Sequence, residues 1–253
     1  NIRYRFSDIN CKEQLKKALK DCSALLNISS IGFGNASTVV EACQEMGIKR
    51  TVFISSTSIF TFLNAKSKVI RKQAENIIIQ SDLNWTILRP TMIFGPSNDR
   101  NIFRLIRWID KYPFIPIFGN GDSLQQPVYV KDVAWSAVEV LNKTETFNND
   151  FNISGGSVIT FNRMISIISD LLEKKIIKIH LPYYIFVFML NFFEKIGIAF
   201  PIKAEQIKRL NENKAFSCKK AKDHFNYNPL RFENAIREEI LFFRNKEKFS
   251  KRM

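Results

Sequence analysis

The sequence predicts an α/β fold: a doubly wound parallel sheet with a small, mostly helical C-terminal subdomain. Two observations carry this expectation. From residue 2 to residue 160, short β-branched runs alternate with amphipathic helical runs at the interval of β–α–β units. After Phe151 that alternation gives way to helical periodicity. The implied division is a sheet domain over residues 1–155 and a helical, substrate-binding subdomain over residues 156–253.

Each element follows from its residues. Ile2–Phe6 reads as a short strand and Asp8–Asn10 as a turn. Lys12–Leu19 is an amphipathic helix with Leu15, Ala18 and Leu19 on one face. Ala24–Ile28 is a short apolar run of the kind buried in parallel sheets. Asn35–Met46 is helical, with Val39, Val40 and Cys43 inward and Gly47 ending it. Arg50–Ser55 is a β-branched strand, Lys68–Gln80 a helix, and Trp85–Leu88 a strand stopped by Pro90. Asn101–Lys111 is a helix on Phe103, Leu105, Ile106 and Ile109. Gln126–Val130 reads as a strand, with Asp132 capping a helix over Val133–Leu141. Thr160 caps a helix through Leu172, and Lys178–Leu181 forms a short strand. Pro182 opens the apolar stretch Tyr183–Phe193, which is too short, and too soon followed by Glu194 and Lys195, to span a bilayer. It packs in the core of the C-terminal subdomain or lies on a membrane surface. Ser217 caps one more helix, and Asn228–Pro229 turns the chain into the last.

Composition narrows the function classes. The chain is 45% hydrophobic and 25% charged, which excludes disorder, and nine glycines in 253 residues exclude collagen-like and linker readings. The net charge is +14, and residues 203–253 hold 14 Lys and Arg against 7 Asp and Glu. Such a tail is a solvated basic surface or an attractor for nucleotide sugars and lipid headgroups. There is no aromatic-interleaved basic motif or zinc finger, so nucleic acid is not an expected partner. Four cysteines without a C-x-x-C pair suit a reducing compartment, and the polar start Asn1–Lys20 suits a cytoplasmic protein. His180 and His224 lack metal-ligand spacing, so no metal is expected.

Several segments then fall in a telling order: Asp8-Ile9 after a strand, Asn27-Ile28-Ser29-Ser30, Phe53-Ile54-Ser55-Ser56-Thr57, Ala74-Glu75 in a helix, Thr86-Ile87-Leu88-Arg89-Pro90-Thr91, Ile93-Phe94-Gly95, Gln126-Pro127-Val128-Tyr129-Val130 with Asp132, and Tyr227-x-Pro229. In this order they resemble the short-chain dehydrogenase/reductase superfamily, and within it the extended and atypical NAD-dependent epimerase/dehydratase-like proteins that act on nucleotide sugars. The resemblance implies a Rossmann fold with NAD or NADP at the carboxyl ends of its strands. It implies that Asp8 and Ile9 flank the adenine, and that Asn27, Ile28, Ser29 and Ser30 line the ribose and diphosphate. It implies further that Ser56 is the catalytic hydroxyl that hydrogen-bonds a substrate oxygen, that Pro90 and Thr91 lie against the nicotinamide, and that Asn101 and Gln126 face the substrate.

Two departures from the family pattern matter. None of the six tyrosines has a lysine four residues on. Counted back from Glu75, the family's Tyr falls on Ser67 and its Lys on Arg71, with Lys68 and Lys72 one residue off each position. A serine has no accessible pKa for proton transfer, whereas Arg71 still holds a ribose or phosphate as a fixed cation. The glycine-rich strand-to-helix turn is also missing, since Gly32-Phe33-Gly34 and Gly119-Asn120-Gly121 do not match it. The resemblance therefore implies that the first β–α–β unit lies outside this sequence. Two functions stay open: an NAD(P)-dependent epimerase, dehydratase or reductase on a nucleotide sugar, and a non-catalytic NAD(P)-binding sensor or membrane-complex assembly subunit. With either go a homodimer and a peripheral membrane contact through Tyr183–Phe193 and the basic C-terminus.

Overall fold

The computed structural model describes residues 2–96, 99, 101–195 and 204–250. In chain order its elements are α1 (Lys12–Leu19), β1 (Ala24–Asn27), α2 (Ala36–Glu45), β2 (Arg50–Ile54), α3 (Lys66–Ile79), β3 (Asn84–Pro90), β4 (Ile93–Phe94), α4 (Ile102–Lys111), β5 (Phe114–Phe118), β6 (Leu124–Gln125), β7 (Val128–Tyr129), α5 (Val130–Leu141), β8 (Asn149–Ile153), β9 (Ile159–Thr160), α6 (Phe161–Leu172), β10 (Ile177–Leu181), α7 (Tyr183–Lys195), α8 (Ala204–Leu210), α9 (Lys219–Phe225) and α10 (Phe232–Ser250). The chain divides into two compact units that interleave in sequence. The first comprises Asn1–Thr91, Asp132–Ile153 and Ser217–Asn228; the second comprises Met92–Lys131, Ser154–Phe216 and Pro229–Met253.

The first unit holds the four-stranded sheet, in the order β1-β2-β3-β8. Every pairing is parallel, with Asn27 beside Phe53, Ile54 beside Leu88 and Pro90 beside Ile153. Parallel neighbours require crossovers, and α2 and α3 supply them between β1, β2 and β3. Alternation along the strands sorts the two faces. Phe53, Trp85 and Ile87 join Leu15, Val39, Cys43 and Ile78 in one core under α1, α2 and α3. On the opposite face Arg50 and Thr86 meet the end of α5. Helices thus cover both faces, and the sheet is doubly wound.

Arg50 is a buried cation held without a carboxylate. Its guanidinium donates to the carbonyls of Leu141 (3.0 Å), Asn84 (2.8 Å) and Val140 and to Thr86 Oγ1 (2.9 Å), and lies 4.4 Å from the Phe147 ring centroid. Burial lowers its pKa to about 10, which still leaves it charged near neutrality.

The second unit builds its core from α4, α6 and α10, with Ile102, Ile106, Ile165, Ile168, Phe232 and Ile236 buried together. Thr160 caps α6 as its sequence predicts, its hydroxyl accepting from the Arg163 amide at 3.1 Å. Three two-stranded pairs complete the unit: β5 with β10, β4 with β7, and β6 with β9. Glu239 of α10 is fully buried, its carboxylate oxygens meet no hydrogen-bond donor among the described residues, and burial together with neighbouring Asp99 pushes its carboxyl up to about 8.

Several expectations need correction. Residues 2–6 form no strand: Ile2, Tyr4 and Phe6 are exposed and pair with no described strand. The strand expected over Gln126–Val130 shortens to Val128–Tyr129, because α5 starts at Val130 and places Asp132 inside its first turn rather than at its cap. β3 runs through Pro90 instead of stopping before it. Of the apolar run Tyr183–Phe193, the side chains after Leu190 lie outside the described ones, as do those of Lys203, Lys248, Lys251 and Arg252 of the basic tail.

Candidate functional site

The parallel register brings the carboxyl ends of β1, β2 and β3 to one edge of the sheet, where an open α/β sheet holds its ligands. Asn27 closes β1. It is buried, its Oδ1 accepts from the Ser29 amide at 3.1 Å, and its Nδ2 is a buried donor without a partner. Ile28 and Ser29 follow it and are exposed. Ser30 caps the 3-10 turn Ile31–Phe33, its hydroxyl accepting from the Gly32 amide at 3.2 Å. At the end of β2, the Ser55 amide donates to the Leu88 carbonyl at 2.7 Å, and Ser56 caps a second 3-10 turn, Thr57–Phe60, accepting from the Ser58 amide at 3.1 Å. Pro90 ends β3 and takes a hydrogen bond from the Thr57 hydroxyl, while the buried Thr91 donates its amide to the Ile153 carbonyl.

Helix α3 adds the cation. A Cβ built on Gly32 would sit 3.2 Å from the Arg71 guanidinium, so Arg71 lies flat against the turn that follows β1. A side chain at residue 32 would crowd that approach. Ser67 lies one turn earlier on α3, and its carbonyl faces Arg71 at 3.4 Å. Lys68 is committed elsewhere, its ammonium bonded to the Thr61 carbonyl. The register of α3 therefore lays Arg71, not Lys68, against the turn that follows β1.

Behind this edge lies a buried ionic strut that the sequence did not signal as a unit. Glu75 on α3 accepts from the Ser55 hydroxyl and from Arg89 on β3. Arg89 also pairs with Asp150 of β8 at 2.7 Å, and the Phe60 ring covers its guanidinium. Burial acts to lower the pKa of Arg89, but the two carboxylates outweigh it and hold the guanidinium charged. The strut ties α3, β2, β3 and β8 together just below Ser56. A signal for it was present in the sequence, since Glu75 and Arg89 both sit in the quoted segments.

The remaining expected site residues fall into two groups. Asp8 and Ile9 belong to the first unit. The Asp8 carboxylate accepts from the Asn10 backbone and side chain and so closes the turn into α1, while Ile9 packs on the α1–α2 core. Asn101 and Gln126 belong to the second unit. Asn101 starts α4, its backbone amide held by Asp99 at 2.9 Å. Gln126 is buried, donating to the Gly155 carbonyl and accepting from the Phe216 amide, each at 2.8 Å.

A dinucleotide finds matching groups at the sheet edge: an orphaned buried amide donor on Asn27, a turn capped by Ser30, and a cation over a glycine. Comparison with known proteins agrees. Residues 2–114 match the family described as NAD(P)H-binding, and residues 72–162 match the 3-beta hydroxysteroid dehydrogenase/isomerase family. The chain is 27% identical over 181 residues to the mitochondrial NADH dehydrogenase [ubiquinone] 1 alpha subcomplex subunit 9 of Arabidopsis thaliana, covering 68% of this chain and 43% of that protein. It is 25% identical over 277 aligned residues to the decarboxylating sterol-4-alpha-carboxylate 3-dehydrogenase of Mus musculus, covering 90% and 76%. Among solved structures, UDP-glucuronic acid 4-epimerase from Bacillus cereus in complex with NAD superimposes with a TM-score of 0.72 at 17% identity, covering 94% of this chain and 78% of that one. The chain thus spans less than half the length of the plant subunit. Motif order, the two partial family matches and sheet topology agree in a likeness to the NAD(P)-binding, Rossmann-like epimerase/dehydratase proteins of the extended short-chain dehydrogenase/reductase superfamily.

Proposed function

We propose that this chain holds NAD or NADP at the carboxyl edge of its sheet without the family's Tyr–Lys proton relay. On this reading it serves as a dinucleotide-binding sensor or an assembly subunit of a membrane complex. The observation that carries the proposal is the face of α3, where Ser67 and Arg71 stand where the resemblance expects the acid/base pair and Lys68 is tied to the Thr61 carbonyl. A serine hydroxyl cannot exchange its proton near neutral pH without a partner base, and an arginine does not give one up. The likeness to a subunit named for NADH dehydrogenase supports the assembly role.

Asn27 would donate through its free Nδ2, Ser30 and Ser56 would present hydroxyls, and Arg71 would hold a ribose or phosphate oxygen as a fixed positive charge. Asp8 and Ile9 would flank the adenine, and Pro90 and Thr91 would close the nicotinamide side. When bound, the nicotinamide supplies hydride chemistry.

A second reading rests on Ser56. Its hydroxyl caps a turn at the end of β2, where it would orient a sugar oxygen. The chain would then be an epimerase, dehydratase or reductase of a nucleotide-linked sugar, with another group or a water relaying the proton. Fold likeness to a UDP-glucuronic acid 4-epimerase supports it. The two readings separate in one assay of UDP-sugars with each dinucleotide. Tight dinucleotide binding with no turnover supports the binding subunit; turnover that Ser56→Ala abolishes supports the enzyme.

A further inference from the structure

We propose that α7 lies in the interface of an anionic lipid bilayer, with the face bearing Tyr184, Ile185 and Phe188 turned into the lipid. This names the partner of the assembly reading above and rests on that reading's membrane location, but not on its dinucleotide site. The helix has two apolar faces. On one, Tyr183, Phe186, Val187 and Leu190 pack with Phe118, Ala204 and Ile207, so α7 is already anchored to its own unit. On the other, Tyr184 is 84% exposed, Ile185 64% and Phe188 74%. These three positions lie within about 100° of each other on a helix and form one continuous patch. The strand leading into the helix also carries two exposed apolar side chains, Ile177 and Ile179. Soluble surfaces seldom leave so many large apolar side chains together.

The described helix is too short to cross a bilayer. Thirteen residues at a rise of about 1.5 Å reach about 20 Å, against a hydrocarbon core of about 30 Å. No helix among the described residues is long and apolar enough to cross a membrane. A helix lying in the interface needs only one apolar face and basic groups beside it. Exposed Lys174 and Lys175 precede β10, and Lys208 and Arg209 lie on α8, which packs against α7. The unit containing α7 holds 21 Lys and Arg against 12 Asp and Glu, a net of +9. That charge selects the occupant. A second copy would bring another +14 against this face, whereas an anionic bilayer attracts it. Tyr184 also suits the headgroup depth, its ring apolar and its hydroxyl wet.

The test is co-sedimentation of the full chain with vesicles of phosphatidylcholine alone and of phosphatidylcholine mixed with phosphatidylglycerol, at low and high salt. The variant replaces the outward residues only, as Tyr184→Ser, Ile185→Ser and Phe188→Ser together, and its melting curve reports that the fold is kept. The wild type is expected to bind the mixed vesicles, less strongly at high salt, and the variant to bind at least about 100-fold more weakly. Absence of wild-type binding at low salt would overturn the proposal, as would equal binding by the variant. So would a concentration-dependent dimer that the variant loses without any vesicle binding, because a second copy would then cover the face. NADH titration of the same samples is expected to be unchanged in the variant, so failure of lipid binding and failure of dinucleotide binding are read separately.

Discussion

Arg89 on β3 grips Glu75 on α3 through an Nη2–Oε2 contact of 2.6 Å and two Nε contacts of 3.1 Å, with side-chain exposures of only 11% and 5%. The pair joins a strand to its crossover helix, and Glu75 accepts a further bond from the Ser55 hydroxyl, next to Ser56. Breaking one side of a buried pair leaves an uncompensated charge, at a cost of about 3–5 kcal/mol. Arg89→Met is expected to lower stability by that order in urea unfolding. The double variant Arg89→Met/Glu75→Leu is expected to lose less than the two single variants summed. Strict additivity would contradict the pairing.

Arg50 makes a separate prediction. Its fork meets carbonyls at the ends of β3 and α5, which a lysine with a single ammonium cannot reach together. Arg50→Lys should destabilise the chain by roughly 2 kcal/mol, because buried carbonyls lose their donors. Thermal unfolding checks this, and a change within error would contradict the network.

Glu239 gives the pH dependence. A carboxyl of ordinary pKa 4.5 is held at about 8 in the folded chain, chiefly by burial and then by Asp99. The folded state therefore keeps a proton that the unfolded state releases. The contribution to stability is fully present below pH 4.5 and is lost as pH rises toward 8, on the order of a few kcal/mol across the window. Glu239→Gln should remove this slope and raise the melting temperature at pH 8 relative to the wild type. An unchanged pH profile would contradict the assignment.

The local elements of this fold were legible because their signals are local. The face of α2, the Thr160 cap, the glycine after α2 and the β-branched run of β2 each lie within one turn or one strand. What sequence did not reveal depends on distant residues. Arg50 is satisfied by groups as far away as Val140 and Leu141, and Glu239 reads as one more charge on a helix of mixed charge, yet the folded chain buries it completely. The strand expected at Ile2–Phe6 fails for the same reason, since alternation alone makes no strand without a neighbour to pair with. At the site, motif order located the sheet edge, but only the structure showed Arg71 lying on Gly32 and Lys68 turned away to Thr61.

Arg71 carries the central claim, that the sheet edge holds a dinucleotide with a fixed cation where the family places a proton relay. The most direct measurement is a fluorescence titration of NADH and NADPH into the wild type and into Arg71→Ala. Saturable binding of at least one dinucleotide to the wild type, weakened about tenfold or more in the variant, is the predicted result. Equal affinity for the two proteins, or no binding to the wild type, would contradict it.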